Sequence, residues 1–192
     1  MGGSPVAVAL YVADALESCG VRYVVGGSLA SSISGEPRST LDVDLVVELS
    51  EADVPRVVVA LAPEFEVDDG AVMRAVRSRS SVNLFHRSTA IKVDLFVAGG
   101  TPLDAEQMER RQRIQIGDSP AQHLYVYTPE DILLQKLRWF RLGNEVSDRQ
   151  WRDIVGILLV QGDALDQGYL QRGAATLGVV DLLTRAVAHA RP

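Results

Sequence analysis

A chain of 192 residues, 47% of them apolar, is long enough to bury a sound hydrophobic core, as one large domain or as a compact domain with an extension. Its formal net charge of −6 argues against a general duplex-binding protein, because affinity for nucleic acid rests largely on cations that neutralise phosphates. The longest apolar runs, Val57 to Ala62 and Ile154 to Val160, fall well short of the roughly 20 residues of a membrane span; with no signal-peptide pattern at the start and a lone Cys19, a protein of the reducing cytoplasm with no membrane partner is expected.

In chain order, Pro5 to Cys19 places Val8, Tyr11, Val12, Ala15 and Leu16 at helical spacing, and Gly20 stops the helix. Val21 to Val25 is a short β-branched strand that Gly26-Gly27-Ser28 turns into the brief helix "SLASSIS", ended by Gly35 and Pro37. Leu41 to Leu49 forms the second strand, and Ser50 with Asp53 opens a helix that Pro63 closes. A short strand at Glu64 to Val67 and a helix from Asp68 or Asp69 to Arg77 follow, and then "SVNLFHRSTAIKVDLFV" alternates on both sides of a turn near His86 to Thr89, which is a β-hairpin. This order predicts an α/β (α+β) fold, a mixed sheet flanked by helices over residues 1–100. Ile114 to Ile116 and His123 to Tyr127 can add short strands, but from Pro129 the chain is helical, with Thr128, Ser147 and Asp163 as N-caps, so residues 101–192 are expected to form a mainly helical C-terminal extension packed on the core.

Chemistry concentrates in "VGGSLASSISGEPRSTLDVDLVVEL". Residues two apart on a strand share a face, so Asp42 and Asp44 point one way while Leu41, Val43 and Leu45 fill the other. "AIKVDLFVAG" repeats the pattern, with Lys92, Asp94 and Phe96 opposite Val93, Leu95 and Val97, so that Asp94 can stand beside the pair on a neighbouring strand. Carboxylates gathered on one face repel one another unless a cation neutralises them. Oxygen ligands without a His or Cys cluster favour Mg2+ or Mn2+ over zinc, and such sites support in-line displacement at phosphorus. The glycine turn at a helix N-terminus fits the same chemistry, because backbone N–H groups can approach phosphate oxygens there.

The motifs "VGGSLA", "EPRSTLDVDLVVE" and "IKVDLFV", in this order, resemble the glycine motif, the paired aspartates and the third-aspartate strand of the nucleotidyltransferase superfamily related to DNA polymerase β, closest to its minimal and abortive-infection toxin branches; "LLQKLRWF" and "RQWRDIVGIL" resemble that branch's helical segments. The resemblance implies that Asp42, Asp44 and Asp94 hold the metal, with Asp94 also the candidate general base. It implies that Gly26, Gly27 and Ser28 contact the nucleotide phosphates, that Arg38, Ser39 and Thr40 lie beside the triphosphate, and that Lys136 reaches toward phosphate or base. Arg152 and Asp153 match less specifically, and a structural ion pair is the simpler role for them.

Three functions compete at this point. A magnesium-dependent enzyme would move a nucleoside monophosphate from a nucleoside triphosphate to a tRNA, a protein or a small molecule, as a toxin with a cognate antitoxin protein among its partners. A non-catalytic nucleotide-binding or toxin–antitoxin module would keep the fold without turnover. A structural protein would spend Asp42 and Asp44 on salt bridges to Arg38 or Arg152. Elsewhere, Trp139, Phe140 and Trp151 are expected between helices, and His86, His123 and His189 are isolated from one another. The arginine clusters at 74–79 and 110–113 read as solvated faces, and only two lysines, Lys92 and Lys136, stand against seventeen arginines.

Overall fold

The computed structural model describes residues 3–34, 41–117, 119 and 122–190. It contains the helices α1 (Pro5–Ser18), α2 (Gly27–Ser34), α3 (Val54–Leu61), α4 (Asp69–Ser78), α5 (Pro102–Arg110), α6 (Pro129–Leu142), α7 (Asp148–Gln161), α8 (Gln167–Leu177) and α9 (Val180–Ala190). The strands are β1 (Tyr23–Val25), β2 (Asp42–Val47), β3 (Phe65–Glu66), β4 (Ser81–His86), β5 (Lys92–Val97), β6 (Gln112–Gln115) and β7 (His123–Val126). Two compact units result, one within Met1–Leu29 and Ser39–Val126, the other within Ala30–Arg38 and Tyr127–Pro192.

The first unit is built on a seven-stranded mixed sheet of order β3-β4-β5-β2-β1-β7-β6. β4 and β5 form the antiparallel hairpin that the alternation predicts. β2 runs parallel to β5 and antiparallel to β1, and β1 runs parallel to β7. One face is the core: Val43, Leu45, Val47 and Val93 have no exposed surface. α1 packs on β2 and β7, α4 on β4 and β5, and α3 lies against both helices. Local caps start these helices: Ser4 accepts the Ala7 N–H at 3.2 Å, and Asp68, one of the two expected starts of its helix, accepts the Ala71 N–H at 3.1 Å.

α5 is an element the periodicity did not reveal. Its start is nonetheless written locally, because Pro102 sits in the first turn and Thr101 and Asp104 form a reciprocal capping box, with the Asp104 N–H donating to Thr101 Oγ1 at 3.1 Å and the Thr101 N–H to Asp104 Oδ2 at 3.0 Å.

The second unit is a helical array in which α6 packs against α7 and α8, and α9 against α7 and α8. Leu133, Leu134, Leu137, Ile154, Ile157, Leu170 and Leu182 fill its core. α8 approaches α6 closely enough that a Cβ on Gly173 would stand 2.4 Å from Leu134 Cδ1. The fully buried Asp131 is satisfied by hydroxyls, receiving Thr128 Oγ1 at 2.8 Å and the Tyr169 hydroxyl at 2.5 Å. Phe140 is buried and tilts against Trp151, which lies under the Arg185 guanidinium at 4.1 Å. Trp139 departs from the expected core position and is 49% exposed, because neighbours on a helix point about 100° apart and Phe140 already takes the inward direction. Among the described residues no helix is long and apolar enough to cross a membrane.

Candidate active site

The strand period places Asp42 and Asp44 on the sheet face opposite the core, and the parallel pairing of β2 with β5 sets Asp42 beside Lys92 and Asp44 beside Asp94. The result is a two-by-two arrangement of three carboxylates and one ammonium on adjacent strands. Lys92 Nζ lies 2.8 Å from Asp94 Oδ2. The other oxygen, Asp94 Oδ1, is buried and has no hydrogen-bond partner. An orphaned carboxylate oxygen in such company is a strong acceptor without a donor.

Asp44 feels both its burial and its neighbours. Its carboxyl is held above the usual carboxylate range, first by burial and then by the negative charges of Asp94 and Asp42; Lys92 and the Ser28 backbone N–H oppose the shift without cancelling it. The glycine turn is the reason Asp44 can lie where it does. Gly26 donates its N–H to the Asp44 carbonyl at 2.9 Å, tying the end of β1 to β2. Gly27 adopts the left-handed region with φ of 57°, and a Cβ built on it would fall 1.7 Å from Asp44 Oδ2, inside the carboxylate itself. Glycine at position 27 therefore serves both the turn and the carboxylate, and the N-terminus of α2 is in contact with Asp44 through Ser28.

Gly26, Gly27, Ser28, Asp42, Asp44 and Asp94 are thus gathered within the first unit. Arg38, Ser39 and Thr40 lie outside the described residues. Lys136 belongs to the second unit, where its side chain is 11% exposed and Nζ donates to Asp153 Oδ2 at 2.7 Å. Asp153 thus has Lys136 as a partner, a cross-helix pairing of α6 with α7 that the adjacent Arg152 in the sequence did not suggest.

Three residues join the neighbourhood that the motif reading did not assign. Lys92 is one, and its spacing two residues before Asp94 was the signal available for it. Asn83 and Phe85 on β4 pair with Asp94 and Lys92 respectively, so they share the same face; Phe85 is 50% exposed there. The arginine clusters are largely engaged: Arg77 contacts Glu51 at 2.9 Å, Arg79 donates to the Ala98 carbonyl at 2.8 Å, and Arg111 lies 4.7 Å over the Tyr125 ring.

Among the described residues no three carboxylates, thiolates or imidazoles are already drawn round one point. The donor set nevertheless fits a hard divalent cation: its ligands are carboxylate oxygens, one of them buried without a partner, on strands that place two side chains directly side by side.

A family model described as nucleotidyl transferase AbiEii toxin of type IV toxin–antitoxin systems matches residues 22–166, from the strand before the glycine turn to the N-cap of α8. The chain belongs to this AbiEii family. That places it in the nucleotidyltransferase superfamily and supports transferase chemistry. Solved structures of similar fold include an antigenic nucleotidyltransferase-like protein from Paracoccidioides brasiliensis, at 19% identity over 95% of this chain and 91% of that one with a TM-score of 0.56. The antibiotic-resistance factor ANT(2'')-Ia matches at 12% identity over 97% of each chain, with a TM-score of 0.57. ANT(2'')-Ia in complex with adenylyl-2''-tobramycin matches at 11% identity over 90% of this chain and 96% of that chain, again at 0.57. Identities this low establish likeness of fold alone. No curated protein matches the chain in sequence.

Proposed function

We propose that this AbiEii-family chain is a magnesium- or manganese-dependent nucleotidyltransferase toxin of the cytoplasm that moves a nucleoside monophosphate from a nucleoside triphosphate onto an acceptor oxygen. The acceptor, a hydroxyl or phosphate of a tRNA, a protein or a small molecule, forms a new bond to the α-phosphorus; the bond to the bridging oxygen breaks and pyrophosphate leaves. The observation that carries the reading is the side-by-side register of Asp44 and Asp94 with Gly27 pressed against the Asp44 carboxylate.

In this reading Asp42, Asp44 and Asp94 hold the divalent cation, which when bound neutralises phosphate charge and polarises the reacting phosphorus. Gly26, Gly27 and Ser28 present backbone N–H groups and a hydroxyl to the triphosphate, a role that glycine's missing side chain and the α2 N-terminus favour. Asp94 takes the proton of an attacking hydroxyl. Arg38, Ser39 and Thr40 are proposed to complete the nucleotide contacts; Lys136, whose ammonium contacts Asp153, stands in the second unit. A dedicated antitoxin is the partner that the family's toxin–antitoxin character suggests.

The test is a thermal-shift titration with ATP, CTP, GTP and UTP, each with magnesium and with chelator, beside an Asp42→Ala, Asp44→Ala double variant. A ligand at 100 times its dissociation constant stabilises the folded state by about 2.7 kcal/mol. A magnesium-dependent shift lost in the variant, with pyrophosphate released on adding acceptor, is the expected result; no shift with any nucleotide would defeat the proposal.

A further inference from the structure

At the end of β1 remote from the glycine turn, the sheet leaves a gap. The register of β1 with β7 comes down to one residue pair, Val25 with Val126. Ahead of it the Tyr23 hydroxyl takes the Tyr125 N–H at 3.3 Å, as the carbonyl of a neighbouring strand would. A cavity of about 210 Å3 opens beside that ring, lined by Glu17, Val21, Arg22, Tyr23, Arg111 and Tyr125, all of the first unit. None of these residues has a part in the metal–nucleotide reading.

The charged groups around this cavity are unequally engaged. Arg22 is answered twice, with Nη1 2.8 Å from Glu109 Oε1 and Nε 3.1 Å from Glu48 Oε2, the latter without the alignment of a hydrogen bond. Glu17 Oε1 accepts the Tyr23 hydroxyl at 3.0 Å and lies 3.2 Å from His123 Nε2. Arg111 has no carboxylate partner among the described residues. Its Nη1 donates to the Met108 carbonyl at 2.5 Å and its guanidinium lies 4.7 Å over the Tyr125 ring, but Nε is buried without a hydrogen-bond partner. The edge formed by Nε and Nη2 is one by which arginine grips a carboxylate or phosphate in two parallel hydrogen bonds, and such bonds strengthen away from bulk water. Val21 and the two tyrosine rings supply apolar wall beside it. We propose that this cavity binds a small organic oxyanion, a carboxylate or phosphomonoester on a compact apolar body, with Arg111 as its anchor. The ligand answers the one guanidinium of the cavity that has no carboxylate of its own, and it joins the start of β1 to the start of β6.

The experiment titrates the full chain, free of divalent metal, with benzoate and with phenyl phosphate, and follows the Arg111 Nε–Hε and Tyr125 amide resonances by NMR. The expected result is a saturable shift of both signals with at least one probe, which says whether the site prefers carboxylate or phosphate. Binding should weaken at least tenfold in Arg111→Gln, read at the Tyr125 amide, and stay unchanged in the Asp42→Ala, Asp44→Ala double variant. Failure of both probes to move either signal saturably overturns the proposal, as does equal binding in a folded Arg111→Gln. Loss of binding in the double variant also overturns it, because the oxyanion would then belong to the carboxylate cluster. Should Arg111→Gln not fold, the Arg111 Nε–Hε signal of the wild-type chain decides: a saturable shift supports the site and a constant position defeats it.

Discussion

The protein's two lysines each meet an aspartate at nearly the same distance, 2.8 Å for Lys92 with Asp94 and 2.7 Å for Lys136 with Asp153, yet the pairs differ in burial and surroundings. Lys136 and Asp153 are both about nine-tenths buried and join α6 to α7 within the helical unit. Lys92 is 35% exposed on a sheet face that also carries Asp42 and Asp44. A buried pair fixes how two helices meet. A pair open on one side, beside further carboxylates, keeps its ammonium within reach of solvent and ligand.

The contrast can be broken most decisively at Asp44. Asp44→Asn should lower nucleotidyl transfer by on the order of 10³-fold, the scale typical of removing a preorganised electrostatic contact. The same variant should raise the melting temperature of the metal-free protein. Burial and like charge lift the folded carboxyl above its unfolded value, so the stability it contributes is present in acid and lost as pH rises through the folded value; at neutral pH the ionised group costs stability that asparagine does not. A variant that loses activity and also loses stability would place Asp44 among structural residues instead.

Next in size, Lys136→Met should destabilise the protein by about 3–5 kcal/mol in urea unfolding, because it breaks a buried ion pair by removing one partner. Lys92→Met should cost less, about 1 kcal/mol, because the lysine end of its pair is 35% exposed against 11% for Lys136. Equal losses would erase the distinction between the two lysines. At the turn, Gly27→Ala forces a side chain into the left-handed region, φ 57°, at about 1–3 kcal/mol. Its larger consequence should be functional, since the added Cβ would displace the Asp44 carboxylate; magnesium-linked nucleotide binding that survives in Gly27→Ala would show that the close approach is dispensable.

Much of this was legible in the sequence because it depends on short periods. The alternation of Asp42, Val43, Asp44 and of Lys92, Val93, Asp94 dictates which side chains share a face, and the Gly26-Gly27 turn ahead of a short helix is a local signal. What sequence could not supply was partnership across the chain. That Asp153 meets Lys136, or that Asp94 aligns with Asp44 and not with Asp42, depends on which helices become neighbours and in which register the strands pair. α5 escaped for the opposite reason: its polar surface blurs the helical period, and only the Thr101 and Asp104 cap marks it. Trp139 shows the limit of hydrophobicity as a guide, since its neighbour Phe140 claims the one inward direction available.

The parallel pairing of β1 with β7 carries a consequence in time. Val25 aligns with Val126, and the Tyr125 N–H reaches the Tyr23 hydroxyl at 3.3 Å, so a central strand waits for a neighbour made about a hundred residues later. At roughly 5–20 residues per second, translation leaves β1 as an open edge for some 5–20 seconds, its three apolar residues exposed to any strand that arrives first. The nascent chain therefore passes through an interval in which the carboxylates of β2 and the glycine turn already exist but the sheet that aligns them is unfinished.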